Sequence, residues 1–171
     1  MMRKYLCLLV LAAAAATLNA QARQAPSRAA LDDIVGVWQS DTVGGVSARS
    51  VCSPSPLGAA VICEQLVSSA RGIQRALNFF VVDSAAGRYA HYVLGASRDL
   101  SPPTPVAIAK HVWTYGGHER SSDGNYYRTI NDFSPHDSYT WRQESSRDGV
   151  HWAVIRHGRS IRERSSTASR G

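Results

Sequence analysis

The sequence lacks the patterns that mark most enzymes and metalloproteins. Its six histidines form no HExxH motif and no His-x-His pair, and no serine lies in a Gly-x-Ser-x-Gly elbow. No glycine-rich loop suited to phosphate is present, and no amphipathic helical pattern reaches about ten residues. The sequence therefore offers no catalytic or metal-binding motif and no pattern for a helical core.

The expected domain has little net charge. The formal net charge of the chain is +6, but the excess lies at the two ends. Between Asp33 and Arg162 there are thirteen basic and eleven acidic residues, interspersed along the chain. Nucleic-acid-binding proteins concentrate positive charge on one folded face. We therefore expect no nucleic-acid partner.

Cysteine is also rare. One of the three cysteines, Cys7, lies in an apolar run near the N-terminus, which leaves Cys52 and Cys63. The residues between these two include Pro54, Pro56 and Gly58, which suit a turn between two strands. A pair of cysteines in an oxidising compartment favours a disulfide, with two free thiols as the alternative.

The N-terminus has the three parts of a secretory signal peptide. Arg3 and Lys4 give a positive start, an apolar run follows to Leu18, and Ala20 and Ala22 are the small residues at the expected cleavage site. The run is shorter than the roughly 20 residues of a membrane helix, and no other stretch is long enough to span a bilayer. We expect a signal peptide at 1–22, a flexible spacer at 23–32, one domain at 33–163 and a disordered tail at 164–171. The predicted location is secreted or periplasmic.

From Val37 onwards the hydrophobic pattern has a period of two, which is typical of strands. Asp-Gly pairs such as Asp123-Gly124 and Asp148-Gly149 provide tight hairpin turns. The predicted strands are Val37–Thr42, Ser47–Cys52, Val61–Ser68, Ile73–Val82, Arg88–Leu94, Val106–Tyr115, Asn125–Phe133, Ser138–Ser145, His151–His157 and a short Arg159–Glu163. This pattern predicts an all-β, up-and-down antiparallel barrel of about 8–10 strands, because closure removes unpaired edges. A sandwich is the alternative.

The first strand opens with Gly36-Val37-Trp38, and arginines occur late in the chain at Arg159 and Arg162. In this respect the sequence resembles the lipocalin-like (calycin) superfamily, whose first strand begins with Gly-x-Trp. In that superfamily an arginine from the last strand covers the indole at the closed end of the barrel. The resemblance implies a lipocalin-like fold, with Gly36, Trp38, Arg159 and Arg162 as candidates for closing the barrel.

The C-terminal third resembles a family of small secreted bacterial β-barrel proteins within the same superfamily. The likeness rests on Tyr127-Arg128, the segment from Tyr139 to Ser145, Asp148-Gly149, Trp152 and Arg162. The family has no assigned chemistry, so the resemblance implies a fold and not an activity. Nitrobindin-type haem barrels share the architecture, but here Gln39-Ser40-Asp41 follows the tryptophan. We therefore predict no cofactor, and haem is left open.

A small barrel can enclose one ligand in a mostly apolar pocket with a few polar anchors. Alternate residues of a strand share a face, which places His91 with Tyr89, and His111 with Trp113 and Tyr115. The candidate ligand-binding residues are Phe79, Tyr89, His91, His111, Trp113, Tyr115, Arg128 and Tyr139. For the fourth strand, the face with Phe80 and Val82 is an equal alternative to that with Phe79.

The resulting hypothesis is a secreted or periplasmic protein that binds a small apolar or amphipathic ligand inside its barrel. An isomerase or hydrolase that uses histidine in the same cavity is one alternative. A structural or interaction protein with a filled barrel is another. The sequence does not set the oligomeric state.

Overall fold

The computed structural model describes residues 25–42 and 45–164, which form ten strands after a short N-terminal 3-10 helix, Arg28–Ile34. The strands are β1 Gly36–Thr42, β2 Val46–Pro54, β3 Ala60–Ser69, β4 Gly72–Asp83, β5 Arg88–Leu94, β6 Thr104–Ala109, β7 Val112–Arg120, β8 Tyr126–Asp132, β9 Ser138–Ser146 and β10 Ala153–Arg162. The predicted leader, the start of the spacer and most of the tail lie outside the described residues.

Each strand pairs antiparallel with its neighbour in sequence, and β1 also pairs with β10. The closing register places Trp38 opposite Arg162 and Ser40 opposite Ser160. The sheet is therefore a closed up-and-down barrel of ten strands. The predicted all-β barrel of about 8–10 strands is confirmed, and the sandwich alternative is wrong.

Two predicted strand boundaries are wrong. The run Val106–Tyr115 is not one strand, because the chain reverses at Lys110 and His111 between β6 and β7. Lys110 adopts a positive φ of 56°, which the sequence does not signal because glycine or asparagine is the usual residue there. Conversely, the two segments on either side of Gly158 form one strand, β10, and an irregularity between Val154 and Arg156 accommodates its register.

The helix Arg28–Ile34 covers the end of the barrel at which β1 begins. Leu31 and Ile34 of this helix are buried in the same apolar cluster as Trp38, Phe80 and Trp113. Tyr89 fixes the chain that enters the helix, since its hydroxyl accepts a hydrogen bond from the Ser27 backbone N–H at 2.8 Å. The packed structure thus begins before residue 33, the predicted start of the domain.

Cys52 of β2 and Cys63 of β3 are directly opposite in the register and form a disulfide, with 4.0 Å between their Cα atoms. The predicted disulfide is confirmed. Both side chains are buried and face the barrel interior. The bridge therefore joins two adjacent strands from the inside.

In the part of the chain that the structure describes, the helix Arg28–Ile34 has seven residues and is too short to cross a membrane, and no helix there is longer.

Candidate functional site

The closed end of the barrel is organised around Trp38, whose side chain is 2% exposed. Its indole Nε1 donates a hydrogen bond to the Ile34 carbonyl oxygen at 2.7 Å. The guanidinium of Arg162 lies over the indole, with Cζ 4.1 Å from the ring centroid. Such a cation–π contact stabilises a fold by about 0.5–2 kcal/mol.

Arg162 also joins the segments that meet at this end. Its Nε donates to the His136 carbonyl at 3.2 Å, and its two terminal nitrogens donate to the carbonyls of Val35 and Asp33. Gly36 has a φ of +136°, and a Cβ atom there would collide with the Arg162 guanidinium. The Gly-x-Trp motif therefore leaves room for the arginine that covers the tryptophan.

Arg159 has a different environment. It lies on β10 three residues before Arg162, and its Nη2 donates to the Ser138 hydroxyl at 2.9 Å. The structure thus distinguishes the two late arginines, because Arg162 alone of the pair covers Trp38.

Next to the closed end, where Arg162 covers Trp38, the barrel contains a cavity of about 600 Å³. Trp38 and Phe80 line it near the closed end, and Val46 and Val67 line it towards the opposite end. Arg156 and His157, both exposed, also contribute to the wall. A cavity of this volume lies within the range that small-molecule sites occupy.

Three of the predicted ligand-binding residues, His91, Tyr115 and Tyr139, line this cavity together. Phe80 joins them, with its ring stacked on His91 at a centroid distance of 4.7 Å. Trp113 is fully buried against Phe80 at 5.4 Å and lies within the core cluster, outside the cavity wall. Aromatic rings from several strands thus contribute to the cavity wall and to the packed layer behind it.

The other four candidates lie elsewhere. Phe79 faces the outside of β4, because its neighbour Phe80 faces inwards. Tyr89 packs at the closed end beside Ser27. His111 lies in the β6–β7 turn, where its Nδ1 is 3.1 Å from Asp33 Oδ2. Arg128 is on the outer wall, because Thr129 takes the inner face.

Arg128 belongs to a polar cluster on the outside of the barrel. Its Nε donates to Glu144 Oε2 at 2.5 Å, and Arg142 Nε donates to the other oxygen at 2.7 Å. Its guanidinium also lies 4.1 Å from the ring centroid of Trp152. This arrangement resembles the Arg162–Trp38 pair but lies on the outer surface and has no part in the cavity.

Sequence reasoning missed the polar side chains of the cavity. Within the described residues, the side chains of five of them form no hydrogen bond: Ser50, Gln65, Thr129, Asn131 and Gln143. Asn131 is only 5% exposed. Buried polar groups without a partner are costly and uncommon in folded proteins. This set therefore indicates a surface suited to a hydrogen-bonding ligand or to ordered water.

His91 is a largely buried titratable group in the barrel wall. Its Nε2 is 3.0 Å from the Asn78 side-chain oxygen, so the geometry assigns the ring proton to Nε2. Burial lowers the pKa of His91 from 6.5 to about 4, because no carboxylate in the described chain compensates the charged form. Burial likewise raises the pKa values of Tyr115 and Tyr139. All three side chains are therefore neutral near neutral pH.

The two histidine–carboxylate pairs in the described residues lie outside the cavity. His111 pairs with Asp33 at the closed end, and His151 Nδ1 lies 2.7 Å from Asp148 Oδ2 in the β9–β10 hairpin. Ser146 is also bound to Asp148, but it accepts backbone N–H groups of the turn and has no contact with His151. The hydrogen bonds of Asp148 therefore organise a hairpin and do not activate a nucleophile.

A scan against protein-family models finds no match for this chain, and a search of curated proteins finds none either.

Proposed function

We propose that this protein is a lipocalin-like binding protein that holds a small amphipathic molecule inside its barrel. The cavity of about 600 Å³ carries the proposal, because its wall combines aromatic rings with polar side chains that lack partners among the described residues. A purely structural barrel would gain stability by filling such a space with apolar side chains. An open polar cavity is better explained by a ligand.

Binding is favoured over catalysis by the surroundings of His91. A general acid or base near neutral pH needs a pKa close to that pH, and a neighbouring carboxylate commonly tunes it. The partner of His91 is the Asn78 amide, and burial holds the pKa of His91 at about 4. Since Nε2–H is bonded to Asn78, the neutral imidazole has only Nδ1 left, which can accept a hydrogen bond from a bound molecule.

The proposed compartment is the periplasm or the extracellular space. The Cys52–Cys63 disulfide supports this location, since such bonds persist in oxidising compartments. Membership of the lipocalin-like superfamily is proposed on the same basis as the function. It rests on the closed barrel and on Arg162 covering Trp38 next to Gly36.

The first test is native mass spectrometry of the protein purified from its own host. We expect an additional mass that is released on unfolding. An unliganded mass, together with no thermal stabilisation by a panel of lipids, haem and neutral aromatic compounds, would overturn the proposal.

A pair of variants locates binding within the barrel. Ala48 lines the cavity, whereas Ala107 is exposed on the outside of β6. Ala48→Trp should fill part of the cavity and abolish the fluorescence enhancement of Nile red, a neutral dye. Ala107→Trp should preserve it. Equal enhancement by the wild-type protein and both variants would place the dye outside the barrel and contradict the proposal.

A further inference from the structure

Two amide side chains line the cavity from opposite walls of the barrel. Gln65 lies on β3 and Asn131 on β8, which are five positions apart in the closed order of ten strands. Neither amide forms a hydrogen bond with another described residue. Each amide carries two donor hydrogens and an acceptor oxygen. Opposite walls therefore present free hydrogen-bonding groups to the same space.

Each of these two amides has a further polar side chain beside it on the cavity wall. Ser50 on β2 is paired in register with Gln65, and Thr129 lies two residues before Asn131 on the same face of β8. The aromatic rings of Phe80, Tyr115 and Tyr139 lie on the cavity surface with these groups. A bound molecule would therefore meet flat apolar surfaces as well as polar groups on two sides.

Formal charge is absent from the deeper part of this lining. In the described residues that line the cavity, none is acidic, and the only arginine is the exposed Arg156. His91 is neutral because burial lowers its pKa to about 4. A ligand that carries a charge into this space would lose its hydration without gaining an ionic partner.

We propose that the cavity selects an uncharged ring compound with hydrogen-bonding groups at two opposite ends, one for Gln65 and Ser50 and the other for Asn131 and Thr129. This inference rests on the proposed function and narrows its ligand class. It disfavours fatty acids and other amphiphiles whose binding depends on an ionised head group inside the barrel.

A matched series of small probes tests the proposal. Umbelliferone has a flat fused ring with a hydroxyl at one end and a lactone carbonyl at the other. Coumarin lacks the hydroxyl, and the carboxylate derivative of umbelliferone adds a negative charge. The affinity of each for the purified full chain is measured by isothermal titration calorimetry at about pH 6, where umbelliferone and His91 are both neutral.

We expect umbelliferone to bind about 3- to 10-fold more tightly than coumarin, which is the effect of one hydrogen bond. We expect its carboxylate derivative to bind at least about 100-fold more weakly, because a carboxylate would be buried without a partner. If the carboxylate bound as tightly as umbelliferone, an anion site at Arg156 would replace the proposed selection.

Asn131→Leu tests the β8 end directly. Leucine has a similar size but forms no hydrogen bonds, so the variant should lose about 3- to 10-fold in umbelliferone affinity and little in coumarin affinity. Gln39→Leu is the matched control, because Gln39 is exposed on the outer face of β1. Its affinities should equal those of the wild-type protein.

The outcomes separate this inference from the proposed function. If Nile red entered the barrel but neutral and charged probes bound equally, the selection would be wrong and the binding function would stand. If the three coumarins failed to bind while Nile red bound, the two-ended ligand class would be wrong. If Nile red were indifferent to Ala48→Trp as well, the proposed function itself would fail.

Discussion

The closed end and the cavity of this barrel differ in whether their polar side chains have hydrogen-bond partners. At the closed end, Trp38 donates to a carbonyl and is covered by Arg162, which itself donates to three backbone carbonyls. A few residues further up the barrel, Asn131 and Gln65 are partly or wholly buried without a hydrogen bond to another described residue. The polar groups of the closed end are therefore hydrogen-bonded within the protein, whereas those two amides of the cavity are left for another molecule.

The difference indicates that the closed end stabilises the fold and that the cavity serves binding. Groups that satisfy one another lower the free energy of the fold, whereas buried polar groups without partners raise it. Natural proteins break local rules of this kind mainly at functional sites. Substitutions at the closed end should therefore lower the free energy of unfolding, and replacement of polar side chains in the cavity by apolar ones should lower ligand affinity.

The largest expected effect concerns Trp38. Trp38→Ala removes a buried indole and the ring that Arg162 covers, so it should lower the free energy of unfolding by about 3–5 kcal/mol. Trp152→Ala is a matched control, because Arg128 lies over that ring at the same 4.1 Å but on the outer wall. Its cost should be about 1 kcal/mol. Equal losses in urea unfolding would show that the closed end has no special role.

A second prediction concerns His91 and pH. The pKa of His91 is lowered to about 4 in the folded protein, whereas the unfolded chain takes up the proton near 6.5. The protein should therefore be most stable above about pH 6.5 and lose about 3 kcal/mol as the pH falls to about 4. The carboxylates with lowered pKa values, such as Asp132 and Glu144, add their own losses at the acidic end of this range.

His91→Gln provides the control for that measurement. The variant retains a polar side chain at the same place but has no titratable group, so its stability should change less between about pH 7 and pH 4.5. The exposed His151, whose pKa is raised by Asp148, is present in both proteins and cancels in the difference. Parallel pH profiles of the two proteins would contradict the buried, neutral His91.

The architecture and the closed end were predictable from the sequence because each part has a local signal. Period-two hydrophobicity and Asp-Gly turns predict strands and hairpins, and the resemblance to the lipocalin-like superfamily implies that Arg159 or Arg162 covers Trp38. The cysteine pair across a turn has a similar signal. These features depend on neighbours in sequence or on a known pairing of first and last strands.

The inner face of β4 and the polar lining could not be predicted in the same way. The segment Leu77–Val82 is largely apolar on both sides, so its pattern does not decide between Phe79 and Phe80. Asn131 and Gln65 have the alternating pattern of polar residues on a solvent face. Only closure of the sheet shows that the face with Asn131 is enclosed, because its neighbours in register are Trp113 and Trp141.

The most direct test of the central claim is the free energy of unfolding of Asn131→Leu, measured with and without umbelliferone. Without the probe, the variant should be about 0.5–1 kcal/mol more stable than the wild-type protein, because an apolar side chain replaces an amide that has no partner among the described residues. With the probe, the wild-type protein should gain more stability than the variant. A variant that is less stable than the wild-type protein without the probe would show that Asn131 serves the fold, which contradicts the account.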